Sequence, residues 1–254
     1  MLLALDIGNS TIVAGVFKRE RLIETFQFPT KLDHTSDSLA HSLLWFLEEK
    51  GFKRKRISTI AVVSVIPSLN RHFELVARDY FGLQAKFLDW KRISTIQFEI
   101  DNPSDLGSDI IAGAVAAHKI WPNDDLIIID LGTATTITAV TSGGDLKAVA
   151  ILPGLGLNAA SFTLGGVLLP IVNPIKPAEG DWPKNTKDSL RYGLYYGHVG
   201  SMREIIQEFG KLKIFSNKAR VIGCGGFSSY FSNEDIFSNC EQFLVLRGLY
   251  ELFN

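Results

Sequence analysis

Two aspartates, Asp6 and Asp130, each end a run of apolar residues and each begin a similar short phrase. The phrases read Asp6-Ile-Gly-Asn-Ser-Thr and Asp130-Leu-Gly-Thr-Ala-Thr. The glycine two residues after each carboxylate permits a tight turn and a close approach of the backbone to a ligand. Backbone N–H groups and hydroxyls can donate to phosphate oxygens, and a carboxylate can hold the cation that neutralises phosphate charge. One copy alone is also typical of an ordinary hairpin turn, whereas a second copy favours phosphate binding.

The two phrases can be overlaid without a gap. The overlay pairs three residues of each copy, namely Gly8 with Gly132, Thr11 with Thr135 and Leu22 with Leu146. Such a repeat predicts that one structural unit occurs twice, with both hairpins directed at one nucleotide.

The residues that follow the first phrase predict three short strands, then a helix, a strand and a helix. Thr35 offers N-cap chemistry, Pro67 suits the first position of a helix, and Gly51 and Gly82 are stop signals. We expect strands at 2–6, 11–17, 21–28 and 57–65, and helices between Thr35 and Gly51 and over 67–80.

The second half repeats this order after a bridging helix at 103–120. We expect strands at 125–130, 135–141, 145–151 and 219–223, a short helix after Gly156, a loop at 170–184, and helices at 186–209 and 239–253. The order predicts an α/β fold of two ribonuclease-H-like lobes around a nucleotide cleft, as in actin-like ATPases. The boundary falls near Asn123, which gives lobes at 1–123 and 124–254.

The composition excludes several classes of partner. A formal net charge of −1 over 254 residues argues against a nucleic acid or an anionic membrane surface as partner. Two cysteines supply neither a disulfide framework nor zinc-ligand spacing. The first residues lack a basic signal region, and no apolar stretch reaches membrane-spanning length. The chain is expected to be soluble and cytoplasmic.

Several catalytic motifs are missing from the sequence. It contains no G-x-x-x-x-G-K-[ST] and no G-x-S-x-G motif. The histidines show no metal-ligand pairing and are interpreted as surface or helix-packing residues, at positions 34, 41, 72, 118 and 198. Direct phosphoryl transfer, which needs positioning, a cation and a base, is the chemistry that remains.

Asp109 is the candidate base, because it follows a glycine-marked turn and enters an apolar helix. In the first turn of that helix the dipole would favour the ionised carboxylate, which could then accept a proton at neutral pH. The alternative is that Asp109, or Asp105, only caps the helix.

These motifs resemble those of the type III pantothenate kinases, members of the acetate-and-sugar-kinase, heat-shock-protein and actin superfamily. The resemblance spans essentially the whole chain and rests on the segments Asp6–Val13, Ser64–Pro67, Asn102–Asp109 and Asp130–Thr135, followed by Pro153-Gly154, Leu169-Pro170, Asn185-Thr186 and Gly225-Gly226. It implies ATP-dependent phosphorylation of pantothenate to 4′-phosphopantothenate, the first step of coenzyme A biosynthesis, by a homodimer.

The resemblance also implies roles for single residues. Asp109 would be the base, Asp6 would hold Mg²⁺, and Asp130 would hold a monovalent cation, K⁺ or NH₄⁺. The ATP-binding residues would be Asp6, Ile7, Gly8, Asn9, Ser10, Thr11, Ile12, Val13 and Thr133. The pantothenate-binding residues would be Gly107, Ser108, Asp109, Ile110 and Thr186.

The chain departs from the family pattern mainly on the acceptor side. Ile110 stands where the family has an arginine that could clamp a carboxylate. Further departures are Ala148-Val149, Cys224 and the segment 164–168. Two alternatives therefore stay open: a non-catalytic, nucleotide-binding accessory or regulatory protein, and a related kinase or phosphatase acting on another small alcohol or on polyphosphate.

Overall fold

The computed structural model describes residues 1–164, 169–178, 180 and 182–254. Residues 165–168 of the predicted departure at 164–168 therefore lie outside the described residues, as do positions 179 and 181 of the predicted loop. The strands are β1 (Leu2–Ile7), β2 (Thr11–Lys18), β3 (Arg21–Pro29), β4 (Thr59–Ser64), β5 (Ala85–Phe87), β6 (Gln97–Phe98), β7 (Leu126–Leu131), β8 (Ala134–Val140), β9 (Asp145–Pro153), β10 (Arg220–Cys224) and β11 (Asn239–Cys240). The helices are α1 (Ser36–Glu49), α2 (Pro67–Val76), α3 (Ser108–Ile120), α4 (Leu155–Leu164), α5 (Thr186–Lys211) and α6 (Leu244–Phe253).

The strands form two sheets with matching topology. The first has the order β3-β2-β1-β4-β5, and the second has the order β11-β10-β7-β8-β9-β6. Read from β9 towards β11, the second sheet repeats the first, with β6 added at the edge. In both sheets the first three strands are antiparallel and the next strands join in parallel. The predicted fold class, mixed α/β with two ribonuclease-H-like sheets, is confirmed.

The chain divides into two compact units that are not continuous in sequence. The first comprises Met1–Ile96, Asp101–Lys119 and Leu244–Asn254, and the second comprises Gln97–Ile100 and Ile120–Phe243. This division differs from the predicted one at 123/124, because α6 contacts β1, β2 and β4 of the first sheet. Likewise, β6 pairs in parallel with β9 and so belongs to the second unit.

Local signals set the helix ends of the first unit. Thr35 caps α1 through a reciprocal pair of bonds with Ser38, and Gly51 follows with φ +72°. The α2 helix continues into a π-helical turn at Ala77–Phe81, which ends at Gly82 with φ +67°.

Two predicted helices begin later than expected. The bridging helix starts at Ser108 rather than 103, because Pro103–Asp105 forms a separate 3₁₀ turn. The last helix starts at Leu244 rather than 239, because Asn239 and Cys240 pair with β10 instead.

Each unit has its own apolar core. Strands β1 and β7 are buried in the same pattern, with only Asp6 and Asp130 partly exposed near their carboxyl ends. A fully buried aliphatic side chain contributes roughly 1.5–3 kcal/mol, so these strands fix the two aspartates on rigid supports. None of the helices in the described residues combines the length and the apolar composition that a membrane span needs.

Candidate active site

The first hairpin loop comprises Gly8, Asn9 and Ser10, between β1 and β2. The Gly8 N–H donates to the Thr11 carbonyl at 3.1 Å. From the end of β3, Thr30 holds the loop: its hydroxyl donates to the Gly8 carbonyl at 2.7 Å, and its N–H donates to the Ser10 carbonyl at 3.0 Å. The side chains of Asn9 and Ser10 are exposed. Thr30 therefore holds the loop in place, and the loop presents exposed polar side chains, as a phosphate site requires.

The start of α3 is fastened to the end of β4 by one serine pair. The Ser108 hydroxyl donates to the Ser64 carbonyl and accepts from the Ser64 N–H, each at 3.0 Å. Ser64 lies beside Ile7 in the parallel β1–β4 ladder, directly after Asp6. The Asp6 hairpin and the first turn of α3 therefore belong to one rigid arrangement.

Asp109 lies in the first turn of α3, as predicted. Its carboxylate accepts the Ile110 N–H at 2.9 Å and rests against Gly107, where a Cβ atom would overlap Asp109 Oδ1. Burial raises the pKa of Asp109 above its ordinary value, although bonds from backbone N–H groups of Ile110 and Asp109 act to lower it. The expected favouring of the ionised form by the helix start is thus outweighed by desolvation.

The second hairpin loop comprises Gly132 and Thr133, between β7 and β8. The Gly132 N–H donates to the Ala134 carbonyl, and the Gly154 N–H donates to the Thr133 carbonyl, both at 3.0 Å. A Cβ atom on Gly154 would overlap the carbonyl oxygens of Gly132 and Thr133. The loop and the turn after β9 are thus in direct backbone contact, while the Thr133 side chain is exposed.

Asp130 faces a glycine that leaves room for its carboxylate. Cys224 is its partner in the parallel β7–β10 ladder, and Gly225 follows with φ +82°. A Cβ atom on Gly225 would overlap Asp130 Oδ1 and would lie 2.8 Å from both the N and O atoms of Leu131. Only a residue without a Cβ atom allows the backbone to approach the Asp130 carboxylate this closely.

The two hairpins differ by one residue, which corrects the overlay of the sequence phrases. Asp6 is opposite Val13, whereas Asp130 is opposite Thr136. In burial and pairing Thr135 therefore corresponds to Ile12 rather than to Thr11. A one-residue shift moves a strand side chain to the other face of the sheet.

The next turn restores the overlay. Lys18 pairs with Arg21 around a two-residue turn, whereas the Thr141 N–H bonds to the Asp145 carbonyl around a three-residue turn. Leu22 and Leu146 therefore correspond as the overlay predicts, and the shift is confined to β2 and β8.

The remaining predicted site residues lie at two helix starts. Ile110 follows Asp109 in α3 and is partly buried, whereas Asp105 is exposed and lies outside the helix. Thr186 is the exposed first residue of α5, behind the N-cap Asn185, which accepts the Asp188 N–H at 3.0 Å. Sequence reasoning missed the role of Thr30, since a bond from β3 to the first loop carries no sequence signal.

A cation at this site would need ligands from the substrate. Among the described residues no group of three or more His, Cys, Asp or Glu could hold a metal ion. Mg²⁺ typically takes one or two protein carboxylates and completes its shell with phosphate oxygens and water. Single carboxylates at the ends of β1 and β7 fit that mode.

The fold defines a class. The activator of the 2-hydroxyisocaproyl-CoA dehydratase from Clostridium difficile, solved with bound ADPNP, aligns with 98% of this chain and 93% of its own, with a TM-score of 0.56 at 12% identity. With the matching sheets, this likeness places the fold among the actin-like ATPases and the kinases related to them.

Sequence comparisons give the family within that class. The family model for type III pantothenate kinase matches residues 2–208. Type III pantothenate kinase 2 of Francisella tularensis subsp. holarctica (strain OSU18) is 34% identical over 250 residues, 98% of this chain and 95% of the relative. The type III pantothenate kinase of Legionella pneumophila (strain Corby) is 33% identical over 249 residues, 98% of this chain and 96% of the relative. The chain belongs to the type III pantothenate kinase family, whose members are phosphotransferases of coenzyme A biosynthesis.

Proposed function

We propose that this chain transfers the γ-phosphoryl group of ATP to the hydroxyl of pantothenate, with Asp109 as the general base. The observation that carries the proposal is the Ser64–Ser108 pair, which fixes the first turn of α3 beside the strand end that bears Asp6. A base and a phosphate-binding loop on one rigid support are what a direct phosphoryl transfer requires.

The proposed chemistry needs one proton acceptor. The Asp109 carboxylate takes the proton of the pantothenate hydroxyl, the oxygen forms the new bond to the γ-phosphorus, and ADP leaves. Burial raises the pKa of Asp109, which makes its ionised form a stronger base. Since only the ionised form can accept the proton, kcat should fall as pH decreases through this raised pKa.

ATP binding is proposed for both hairpins. Asp6 to Val13 would contact the phosphates, with Asp6 on the Mg²⁺ side, and the exposed Thr133 hydroxyl would contact the nucleotide from the second loop. Asp130, near the end of β7, would hold K⁺ or NH₄⁺. Both cations would offset phosphate charge.

Pantothenate binding is proposed for the start of α3 and the start of α5. Gly107, Ser108 and Ile110 would surround the hydroxyl near Asp109, and Thr186 would contact the acceptor. Ile110 cannot clamp the pantothenate carboxylate as an arginine would, and losing such a charged hydrogen bond costs about 1.5–3 kcal/mol. We therefore expect a high KM for pantothenate. We also propose that the protein is a cytoplasmic homodimer without a nucleic-acid or membrane partner.

The test is ADP release by the purified chain with Mg²⁺, varying pantothenate and comparing K⁺, NH₄⁺ and Na⁺. We expect turnover that requires pantothenate and is stimulated by K⁺ or NH₄⁺. Isothermal titration of pantothenate in the presence of a non-hydrolysable ATP analogue measures acceptor binding separately. No turnover and no pantothenate binding at high substrate concentration would reject the proposal.

A second candidate function follows from Ile110, which removes a charged contact from the acceptor side. The chain would then phosphorylate a different small alcohol, or bind nucleotide as a regulatory protein. A panel of alcohols in the same ADP-release assay separates these candidates, because a regulatory protein would bind the analogue without acceptor-stimulated turnover.

A further inference from the structure

A buried threonine and a buried histidine meet behind the second hairpin. Thr135 is fully buried and His198 is 4% exposed, and Thr135 Oγ1 lies 3.0 Å from His198 Nε2. Thr135 is opposite Leu131 across the β7–β8 ladder. These two residues form the first buried pair next to the loop of Gly132 and Thr133. This hydrogen bond therefore supports the base of that loop from within the core.

The one-residue difference between the hairpins explains why this support is needed. In the first unit the corresponding position is Ile12, an apolar side chain that is satisfied by packing alone. In the second unit the shorter loop turns a hydroxyl inward, and a buried hydroxyl without a partner is costly. His198 supplies the partner, and burial lowers the pKa of His198, which favours the neutral ring.

His198 is held firmly enough to position its partner. Its ring stacks on Phe231 with centroids 5.6 Å apart, and Phe231 stacks in turn on Tyr195, one turn earlier in α5. From the other side, the Phe227 N–H donates to the Leu131 carbonyl at 3.0 Å. The base of the second loop is thus clamped between α5 and the segment after β10.

We propose that His198 is a positioning residue for the second hairpin, acting through Thr135 to set the loop that carries Thr133 and follows Asp130. The proposal rests on the proposed nucleotide-binding role of that hairpin. Removing the bond should weaken nucleotide binding and cation activation together, while acceptor binding stays the same. A purely structural role would lower stability and leave these constants unchanged.

The test compares Thr135→Val, which removes the hydroxyl, with Thr135→Ser, which keeps it. We expect Thr135→Val to raise the KM for ATP and the Kd for a non-hydrolysable ATP analogue about five- to tenfold, as the loss of one hydrogen bond predicts. Thr135→Ser should restore both to within about twofold. His198→Leu should match Thr135→Val, and the double variant should be no worse than either single variant.

Tyr195→Phe is the matched control for stability. It removes a buried hydroxyl from the same helix, whose bonds go to Glu234 and the Tyr230 carbonyl and not to the hairpin. We expect it to lower Tm with an unchanged analogue Kd. The proposal is overturned if Thr135→Val also lowers only Tm, or if it raises the KM values for ATP and pantothenate equally.

The analogue titration also separates this inference from the proposed reaction. If the wild type binds the analogue but does not phosphorylate pantothenate, the reaction is rejected while the effect of Thr135→Val on Kd still decides the inference. Failure of the wild type to bind the analogue would overturn both. If Thr135→Val does not fold, two other single variants test the same inference. His198→Leu removes the hydrogen bond, and Thr135→Ser keeps it.

Discussion

The two hairpins begin on matching strands and differ in what surrounds their carboxylates. In the first unit, the strand parallel to β1 ends at Ser64, which holds the helix that carries Asp109. In the second unit, the strand parallel to β7 leads to Gly225, which lies against Asp130 itself. In one copy of the repeat the parallel strand thus holds the start of the helix that carries the proposed base, and in the other the backbone after the parallel strand packs directly against the carboxylate.

This difference gives the repeated element two different surroundings. The strands that bear the aspartates are buried alike, so both copies support their carboxylates in the same way. The two copies differ in the residue at or just after the end of the neighbouring parallel strand, Ser64 or Gly225, and in the length of the hairpin loop. Three substitutions test the proposed division of roles, from the largest expected effect on activity to the smallest, and a fourth, at Asp125, tests stability alone.

Asp109→Asn tests the role of the first unit. Removing a general base typically costs about 10²–10⁴-fold in rate, so kcat should fall in that range while analogue binding stays close to wild type. Steady-state kinetics and calorimetry measure the two quantities. Asp105→Asn is the control, because this exposed residue lies outside the helix. Turnover by Asp109→Asn at the wild-type rate would show that Asp109 is not the base and only caps the helix.

Gly225→Ala tests the role of the second unit. The new Cβ would overlap Asp130 Oδ1, and φ +82° adds roughly 1–2 kcal/mol of strain for an L-residue. A displacement near 1 Å can cost about 10²-fold in rate, and we expect the response to K⁺ to disappear as well. Gly226→Ala is the matched control, since no atom of the described residues lies within 4 Å of its Cβ position. Equal effects of both substitutions would show that the close contact between Gly225 and Asp130 has no special function.

Gly248→Ala tests whether α6 positions Asp109. A Cβ on Gly248 would overlap the Ala112 carbonyl and lie 2.9 Å from Ala112 Cα, one turn after Asp109 in α3. Since the obstacle is backbone, α3 must shift, and we expect kcat to fall about tenfold with little change in the KM for ATP. Gly113→Ala should retain full activity, because its Cβ position meets no atom within 4 Å in the part of the chain that the structure describes. A lower Tm with normal kcat would contradict a positioning role for α6.

Asp125→Asn should alter acid stability and leave activity intact. Burial of Asp125 opposes ionisation, but N–H groups of Ser142, Asn217 and Ser216 outweigh it and lower the pKa. A lowered pKa stabilises the fold above the unfolded value of about 3.9, and this contribution is lost as pH falls towards the folded value. Losing hydrogen bonds to a charged group costs about 1.5–3 kcal/mol. Urea unfolding at pH 7 and at pH 3 measures the free energy of unfolding of the wild type and of Asp125→Asn. The difference between the two proteins should be large only at pH 7.

The sequence by itself determined most of the secondary structure, because its signals act over a few residues. Thr35 begins α1, Gly51 and Gly82 follow helical segments, and the strands before Asp6 and Asp130 are continuous apolar runs. The repeat predicted two similar sheets, and the motif order predicted the family. The short strands β5, β6 and β11 carry too few residues to be seen in a periodic pattern.

Only the tertiary structure decided the surroundings of the candidate site residues. Residues far apart in sequence set the raised pKa of Asp109, the contact of Gly225 with Asp130 and the bond between Thr135 and His198. The gapless overlay of the phrases also concealed the shift between Thr11 and Thr135, because two compensating turn lengths cancel along the chain. A sequence records residue order, whereas burial and hydrogen-bond partners depend on which strands and helices pack side by side.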